Sequence, residues 1–182
     1  MAAIKTVADS QGWFYLLTTI PADLSAITLT DLTEGPTCIK GSFIAAANGT
    51  RFAFAASDTV SDPAYGDSSN GQVRGRANYE GSIAPFVHID DTTGLYDEDD
   101  NPLIAVLAGL VETGVPFAII SGVTGSPDDA RVAGDLYDAF TYTADYSNTP
   151  TEVGGYQKRN FPLLPNGKSA HMQPLLAAPA GP

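Results

Sequence analysis

The chain has 182 residues, of which 43% are hydrophobic, and this length and composition predict one globular domain with a sizeable core. A formal net charge of −12 excludes a basic surface that binds the phosphate backbone of nucleic acids. Cys38 is the only cysteine, which excludes a disulfide framework and a cysteine-based zinc site, and its neighbours predict a buried strand thiol.

The N-terminal part of the chain predicts an arm followed by strands. Residues 1–12 are small and polar and contain no signal peptide, and no apolar run in the chain reaches the roughly 20 residues of a membrane-spanning helix. We therefore expect a soluble protein of a reducing compartment. Aromatic, β-branched or alternating residues then predict strands at 13–20, 37–44, 51–55, 73–79 and 82–89, with Asn48-Gly49 as a hairpin turn.

A long polar insert interrupts this series of strands at residues 57–72. It contains three aspartates, Asp58, Asp62 and Asp67, and one aromatic residue, Tyr65. Loops of this length without structure of their own are usually functional or disordered. An aromatic side chain in a polar loop favours contact with a partner surface.

One helix is predicted, over residues 102–113. Asn101 fits the N-cap, where its side-chain oxygen accepts a free backbone N–H, and Pro102 fits the first helical position. The acidic residues 97–100 stand at the positive end of the helix dipole, and Gly114 ends the helix. The apolar face, which we expect to pack against a sheet, comprises Leu103, Val106, Leu107, Leu110 and Val111.

Two further strands are predicted after the helix, at residues 117–123 and 136–146. Proline, glycine and asparagine then recur, and they predict an extended C-terminal arm over residues 165–182, with a turn at 166–169. The fold class predicted from the whole chain is mainly β, a sandwich or open barrel of antiparallel strands with one packed helix.

A calcium site before the helix is not supported by the residue pattern. Asp97, Asp99 and Asn101 match the first ligand positions of an EF-hand loop. Pro102 replaces the loop glycine, however, and Ala108 replaces the bidentate glutamate.

The remaining motifs predict no catalytic, cofactor or metal site. Residues 166–169 match the end of a phosphate-binding loop, but Pro162 stands where the leading glycine belongs. His88 and His171 have no metal-ligand spacing. The carboxylates of residues 90–100 have no nucleophile or base beside them, so we predict that the chain is not an enzyme.

The order of these features resembles the major tail tube proteins of long-tailed, siphovirus-like bacteriophages, especially those that infect actinobacteria. The resemblance spans roughly residues 70–175, and its carrying segments are residues 75–82 (GRANYEGS), 84–86 (APF), 101–103 (NPL), 133–137 (AGDLY) and 158–162 (KRNFP).

The resemblance implies a structural protein of the virion tail that assembles in the host cytoplasm. Six subunits would form a ring whose inner strands close into a continuous β-barrel, and stacked rings would form the tube. The partners it implies are further copies of the chain and other tail proteins, such as the tape measure, the tail terminator and the baseplate or distal tail proteins. DNA would pass through the lumen without specific binding.

Residue roles follow from the resemblance as expectations. Asp58, Asp62, Tyr65 and Asp67 of the insert become candidates for contacts between subunits or rings. Arg74 and Arg76 either form ion pairs between subunits or lie on a solvent face. Carboxylates that line the lumen would repel DNA, and Asp138 and Asp145 are the candidates that one predicted strand offers.

Two other function classes stay open. A monomeric β-sandwich that binds carbohydrate would use Trp13 or the tyrosines of residues 137–146 in an exposed concave patch. A metal-dependent hydrolase would depend on Asp97 or Asp99.

Overall fold

The computed structural model describes residues 12–56, 78–89, 92–93, 96, 98–122, 124–148 and 156–178, together with the backbone of residues 59–60 and 73–74. Its elements are β1 (Phe14–Leu17), β2 (Cys38–Lys40), β3 (Arg51–Ala55), β4 (Thr59–Val60), β5 (Val73–Arg74), β6 (Asn78–Ile83), α1 (Pro102–Thr113), β7 (Phe117–Gly122), β8 (Leu136–Ala144) and β9 (Phe161–Pro174). The predicted mainly antiparallel β fold with one packed helix is confirmed. The described part of the chain contains no helix long and apolar enough to cross a membrane.

Seven strands form one antiparallel sheet in the order β2-β1-β7-β8-β9-β6-β3, and β4 pairs with β5 in a separate two-stranded sheet. The sheet is strongly curled. Phe14 on β1 and Phe52 on β3 stand five strands apart in the sheet order, yet their ring centroids are 5.1 Å apart. The sheet is therefore an open barrel around one apolar interior.

Helix α1 fills this interior. Three residues of the predicted face are buried among the inward side chains of the sheet: Leu103, Leu107 and Leu110. The other two, Val106 and Val111, are partly buried against the same cluster. A further buried residue of the helix, Ile104, is missing from the predicted face. Because the sheet curls around the helix, the buried stripe is wider than the pattern indicated.

Asn101 occupies the N-cap position but does not cap the helix with its side chain. Its Oδ1 accepts the backbone N–H of His88 at 2.7 Å, and its Nδ2 donates to the carbonyl of the same residue at 2.8 Å. The predicted side-chain cap is wrong. The amide instead pairs with a passing chain segment in the manner of a neighbouring strand, which ties the start of the helix to the end of the sheet.

The predicted C-terminal arm is wrong over most of its length. Residues 161–174 form β9, the longest strand, which lies between β8 and β6 inside the sheet. The turn predicted at 166–169 is a bulge in this strand, where Gly167 has φ of +80° and the register against β8 shifts. Prolines and glycines that indicate a loop are tolerated here because they stand at irregular positions of the strand.

Other strand boundaries differ from the prediction. The strand predicted over 82–89 ends at Ile83, where only single bridges continue, and the strand predicted over 73–79 is divided between β5 and β6. A second apolar cluster covers the outer face of β1 and β7, with Leu24, Ile27 and Leu32 of the segment between β1 and β2 lying over it. β1, β7 and the first part of β8 are thus buried on both faces.

Candidate assembly surface

One half of the sheet is covered on its inner face only. Side chains of β3, β6, β9 and the end of β8 alternate, and one set, exemplified by Phe54, Tyr79 and Leu163, packs with the helix. The other set points away from the helix, and none of its members is buried. We call this set the open face; it comprises Arg51, Ala53 and Ala55 of β3, Asn78, Glu80 and Ser82 of β6, Pro162 and Leu164 of β9, and Thr143 of β8.

The open face continues beyond the named strands into a projection that we call the tongue, formed by residues 84–87, 145–148 and 156–160. The register that pairs Ile83 with Phe161 also pairs Phe86 with Lys158. Asn148 and Asn160 exchange two backbone hydrogen bonds of 2.9 Å, which attach the chain that follows β8. The tongue is therefore a direct extension of the β8-β9-β6 ladder.

The four strands of the open face end in two edges without a strand partner in the described part of the chain. β3 pairs with β6 alone, so its second edge is unpaired. On the other side, β8 pairs with β7 only as far as Tyr142, so the edge from Thr143 through residue 148 has no such neighbour. Unpaired edges of this kind are templates for pairing with another chain.

A polar network holds the β9 bulge at the open face. The Tyr79 hydroxyl accepts the N–H of Asn166 at 3.0 Å and donates to the carbonyl of Thr141 at 2.8 Å. The Thr141 hydroxyl accepts the N–H of Lys168 at 3.1 Å. The bulge and the segment 22–25 line a groove of about 980 Å³. Sequence reasoning missed the bulge because its anchors come from strands far away in the chain.

The described charges of the open face and its borders are balanced. Arg51 and Glu80 form an ion pair of 2.8 Å across β3 and β6, with both side chains more than half exposed. Lys168 and Asp145 stand at its borders and are exposed. An exposed ion pair of this kind contributes little to stability. Its effect is to keep the net charge of the open face near zero.

The two lumen candidates from β8 are not brought together. Asp138 has the same strand parity as Phe140 of the core, and its carboxylate accepts the N–H of Met172 at 2.8 Å and bonds to His171 Nδ1 at 2.8 Å. Asp145 follows the end of the strand, on the side of Thr143, and is exposed. Since seven positions separate the two aspartates, the alternation of a strand places them on opposite faces.

Most of the predicted contact residues lie outside the described residues. These are Asp58, Asp62, Tyr65, Asp67 and Arg76. Arg74 belongs to β5, of which only the backbone is described. Their roles in assembly stay predictions, as does the N-terminal arm.

The site required for carbohydrate binding does not form. Trp13 is buried, its Nε1 donates to the carbonyl of Thr124 at 2.6 Å, and the Arg131 guanidinium carbon lies 4.6 Å from its ring centroid. Tyr137 and Tyr142 are also buried. Tyr146 alone among these candidates is exposed, so they do not form the aromatic patch proposed for a sugar.

The hydrolase alternative also finds no site. Among the described residues there is no group of three or more His, Cys, Asp or Glu side chains that could hold a metal ion. Asp97 lies outside the described residues, and Asp99 is exposed ahead of the helix.

A family model described as "Phage tail tube protein" matches residues 1–178 of the chain. A search of curated proteins found no match. The match covers almost the whole chain, and it includes β9 and the segments of the predicted resemblance.

Proposed function

Because the chain belongs to the phage tail tube protein family, a structural family of the virion tail, we propose that it assembles into stacked rings of six subunits that form the tail tube. Membership in this family is the observation that carries the proposal. The family is not an enzyme family, and we propose that the chain has no catalytic activity. The link to phages of actinobacteria stays a prediction.

The open face is our candidate for the lining of the lumen. It belongs to four adjacent strands with unpaired edges at β3 and at residues 143–148, so copies placed side by side can add their strands to one continuous sheet. A ring built in this way pairs both edges of the open face, which reduces the risk of uncontrolled edge-to-edge aggregation. The contact is heterologous, because β3 of one copy meets a different segment of the next.

The side chains of the open face suit the passage of DNA better than its binding. Apart from Leu164 the face carries small and polar side chains and one ion pair, with no cluster of cations in its described part, so it offers nothing to hold a phosphate backbone. A negatively lined lumen stays a prediction. Glu80 is neutralised by Arg51, so an excess of carboxylates would depend on Asp145 and on the insert at 57–72.

Contacts with further tail proteins follow from the same proposal. A tube of finite length needs partners at both of its ends and a partner that sets its length, and we propose the tail terminator, the baseplate or distal tail proteins and the tape measure for these roles. The chain would act in the virion tail after assembly in the host cytoplasm.

Thiol labelling tests the proposal, because the buried Cys38 should add little background labelling. Leu164→Cys places a thiol on the open face, and Glu112→Cys places an exposed thiol on the helix as the matched control. Electron microscopy of the wild-type protein should first show rings or tubes. In the assembled state we expect the open-face thiol to react with a small maleimide and to resist a bulky polymer-linked maleimide.

The control thiol should react with both reagents before and after assembly. If the bulky reagent modifies Leu164→Cys in intact tubes as fast as in monomers, the open face does not line the lumen. If the wild-type protein stays monomeric at high concentration and in the presence of preformed tail tips, the assembly proposal itself is wrong.

A further inference from the structure

We propose that the tongue of one copy of this chain binds the opposite end of a second copy stacked along the strand direction. This inference rests on the proposed tube and names the surfaces that join one ring to the next. We call the opposite end the loop end, because residues 124–135 connect β7 to β8 there. Both surfaces are built from described residues.

The tongue presents two tyrosines to solvent. Tyr146 is 78% exposed and Tyr156 is 86% exposed, the highest values among the large hydrophobic side chains that the structure describes. The Tyr156 ring stacks edge-on against Phe86, with centroids 5.8 Å apart. Tyrosine is enriched at interfaces because its ring buries a large apolar area with little loss of conformational freedom.

The tyrosines are held on a preformed backbone. Asn148 and Asn160 exchange two backbone hydrogen bonds. The Arg159 N–H donates to the Pro85 carbonyl at 3.0 Å, and the Val87 N–H donates to the Gln157 carbonyl at 2.9 Å. A surface fixed in this way loses little entropy when a partner binds. The tongue is therefore suited to act as a rigid anchor.

The loop end offers an apolar surface with acidic neighbours. Val132 and Leu176 are exposed there. Leu176 lies at the same end, because the backbone of the preceding Leu175 bonds to Gly134 and Asp135, and Leu176 forms a bridge with Thr28. The exposed carboxylates of this end are those of Asp31, Asp128 and Asp129.

Charge on the two surfaces is complementary at the point of contact. The tongue carries Lys158 and Arg159, with Asp145 as its own carboxylate. The only described cation in the segment 124–135, Arg131, is buried and ion-paired to Asp135 at 3.6 Å, so it does not offset the exposed acids. The acidic residues 98–100 lie beside His88, next to the tongue, and reduce the positive potential of the tongue. We therefore propose that the tyrosines supply most of the binding free energy and that the charges set the orientation of the contact.

The placement of the two surfaces fits a stacked assembly. β8 runs from the loop end to the tongue over nine residues, about 30 Å at 3.3 Å per residue. Copies stacked along this direction bring the tongue of one against the loop end of the next. The two surfaces differ and lie at opposite ends, so the contact repeats without closing, as a tube requires.

Tyrosine substitution separates stacking from ring formation. Tyr146→Ser combined with Tyr156→Ser should leave ring mass, measured by native mass spectrometry, unchanged. The critical concentration for tubes, measured by electron microscopy and sedimentation, should rise by about tenfold or more, as expected when two central anchors are removed. Phe43→Ser, at an exposed aromatic residue outside both surfaces, is the matched control and should form tubes like the wild type.

Charge reversal tests the orientation of the contact. Lys158→Glu with Arg159→Glu should impair stacking, and so should Asp128→Lys with Asp129→Lys. All four substitutions in one chain should restore tubes, because the complementary charges are exchanged between the two surfaces. Circular dichroism confirms that each variant is folded.

Tubes of wild-type length and critical concentration from the double tyrosine variant would overturn this inference. Impaired stacking in the fourfold variant as severe as in the double variants would overturn the assigned orientation. Failure of the wild-type protein to form rings would instead refute the proposed function, so the two failures are distinguishable.

Discussion

Replacing Asn101 tests how the helix is attached to the sheet. The sequence alone assigns this side chain to capping, whereas the structure gives its amide to the backbone of His88, with one accepted bond of 2.7 Å and one donated bond of 2.8 Å. The side chain is buried and His88 is exposed, so the two backbone groups that Asn101 satisfies are only partly accessible to water when the amide is removed. Ala, Ser and Asp at this position distinguish the two roles.

The magnitude follows from the two lost hydrogen bonds. Each contributes about 1 kcal/mol net, and a buried group left without a partner adds a further penalty, so Asn101→Ala should destabilise the chain by about 2–4 kcal/mol. Ser and Asp are good N-cap residues and would retain most of the stability if capping were the role of Asn101. An ionised Asp has no donor for the His88 carbonyl, and the single, shorter Ser hydroxyl cannot reproduce the two-point pairing of the amide, so we expect losses of about 1.5–3 kcal/mol for both.

Urea unfolding of the monomer, followed by tryptophan fluorescence, measures these differences. Trp13 is buried in the sheet and reports on its loss. A shift of the midpoint at constant slope would show a change in stability alone. If Asn101→Ser unfolds within about 0.5 kcal/mol of the wild type, capping is the dominant role and the pairing with His88 contributes nothing.

Four other substitutions have defined outcomes in the same assay, and alkylation of Cys38 adds a separate measurement. Tyr79→Phe removes the hydroxyl that links Asn166 of the β9 bulge to Thr141 of β8, and we expect the free energy of unfolding to fall by about 1–3 kcal/mol. A fall below about 0.5 kcal/mol would contradict this role. Gly122→Ala would place a Cβ 1.9 Å from the Trp13 ring and should destabilise by about 1–3 kcal/mol, whereas Gly109→Ala on the exposed helix surface should stabilise by up to about 1 kcal/mol. Burial raises the pKa of the Cys38 thiol from 9.0 to about 11, so alkylation should be slow in the native protein and fast in urea. The thiol loses its proton at lower pH in the unfolded chain than in the folded one, so this group makes the free energy of unfolding fall as pH rises from about 9 to 11. Cys38→Ala should make this fall less steep, and an unchanged slope in Cys38→Ala would contradict the burial of the thiol.

Local patterns predicted those elements whose geometry depends on neighbouring residues. The helix follows from Pro102 at its start, Gly114 in the left-handed conformation at its end and the apolar spacing between them. β3 matches the prediction residue for residue, because it alternates strictly. The hairpin predicted at Asn48-Gly49 is wrong, because β3 pairs with β6 whereas β2 pairs with β1. The resemblance to tail tube proteins, which short segments such as residues 75–82 and 133–137 carry, is confirmed by the family match.

Contacts between distant residues decided the remaining features. Residues 161–174 contain prolines and a glycine that locally favour a loop, yet they form a strand because β8 pairs along most of it, β6 pairs with residues 161–163 and Tyr79 holds the bulge. The faces of β8 are also a tertiary property. Both are buried over much of the strand, so alternation alone cannot distinguish the core from the second apolar cluster.

The sequence by itself determined the class of the fold, the position of its helix and the family. Only the tertiary structure decided that Asn101 joins the helix to the sheet, that Asp138 is turned away from Asp145, and that four strands share an open face. The physical reason is the range of the interactions involved. Caps, turns and periodicity depend on residues a few positions apart, whereas curling of the sheet, strand order and burial depend on segments that meet only after the chain has folded.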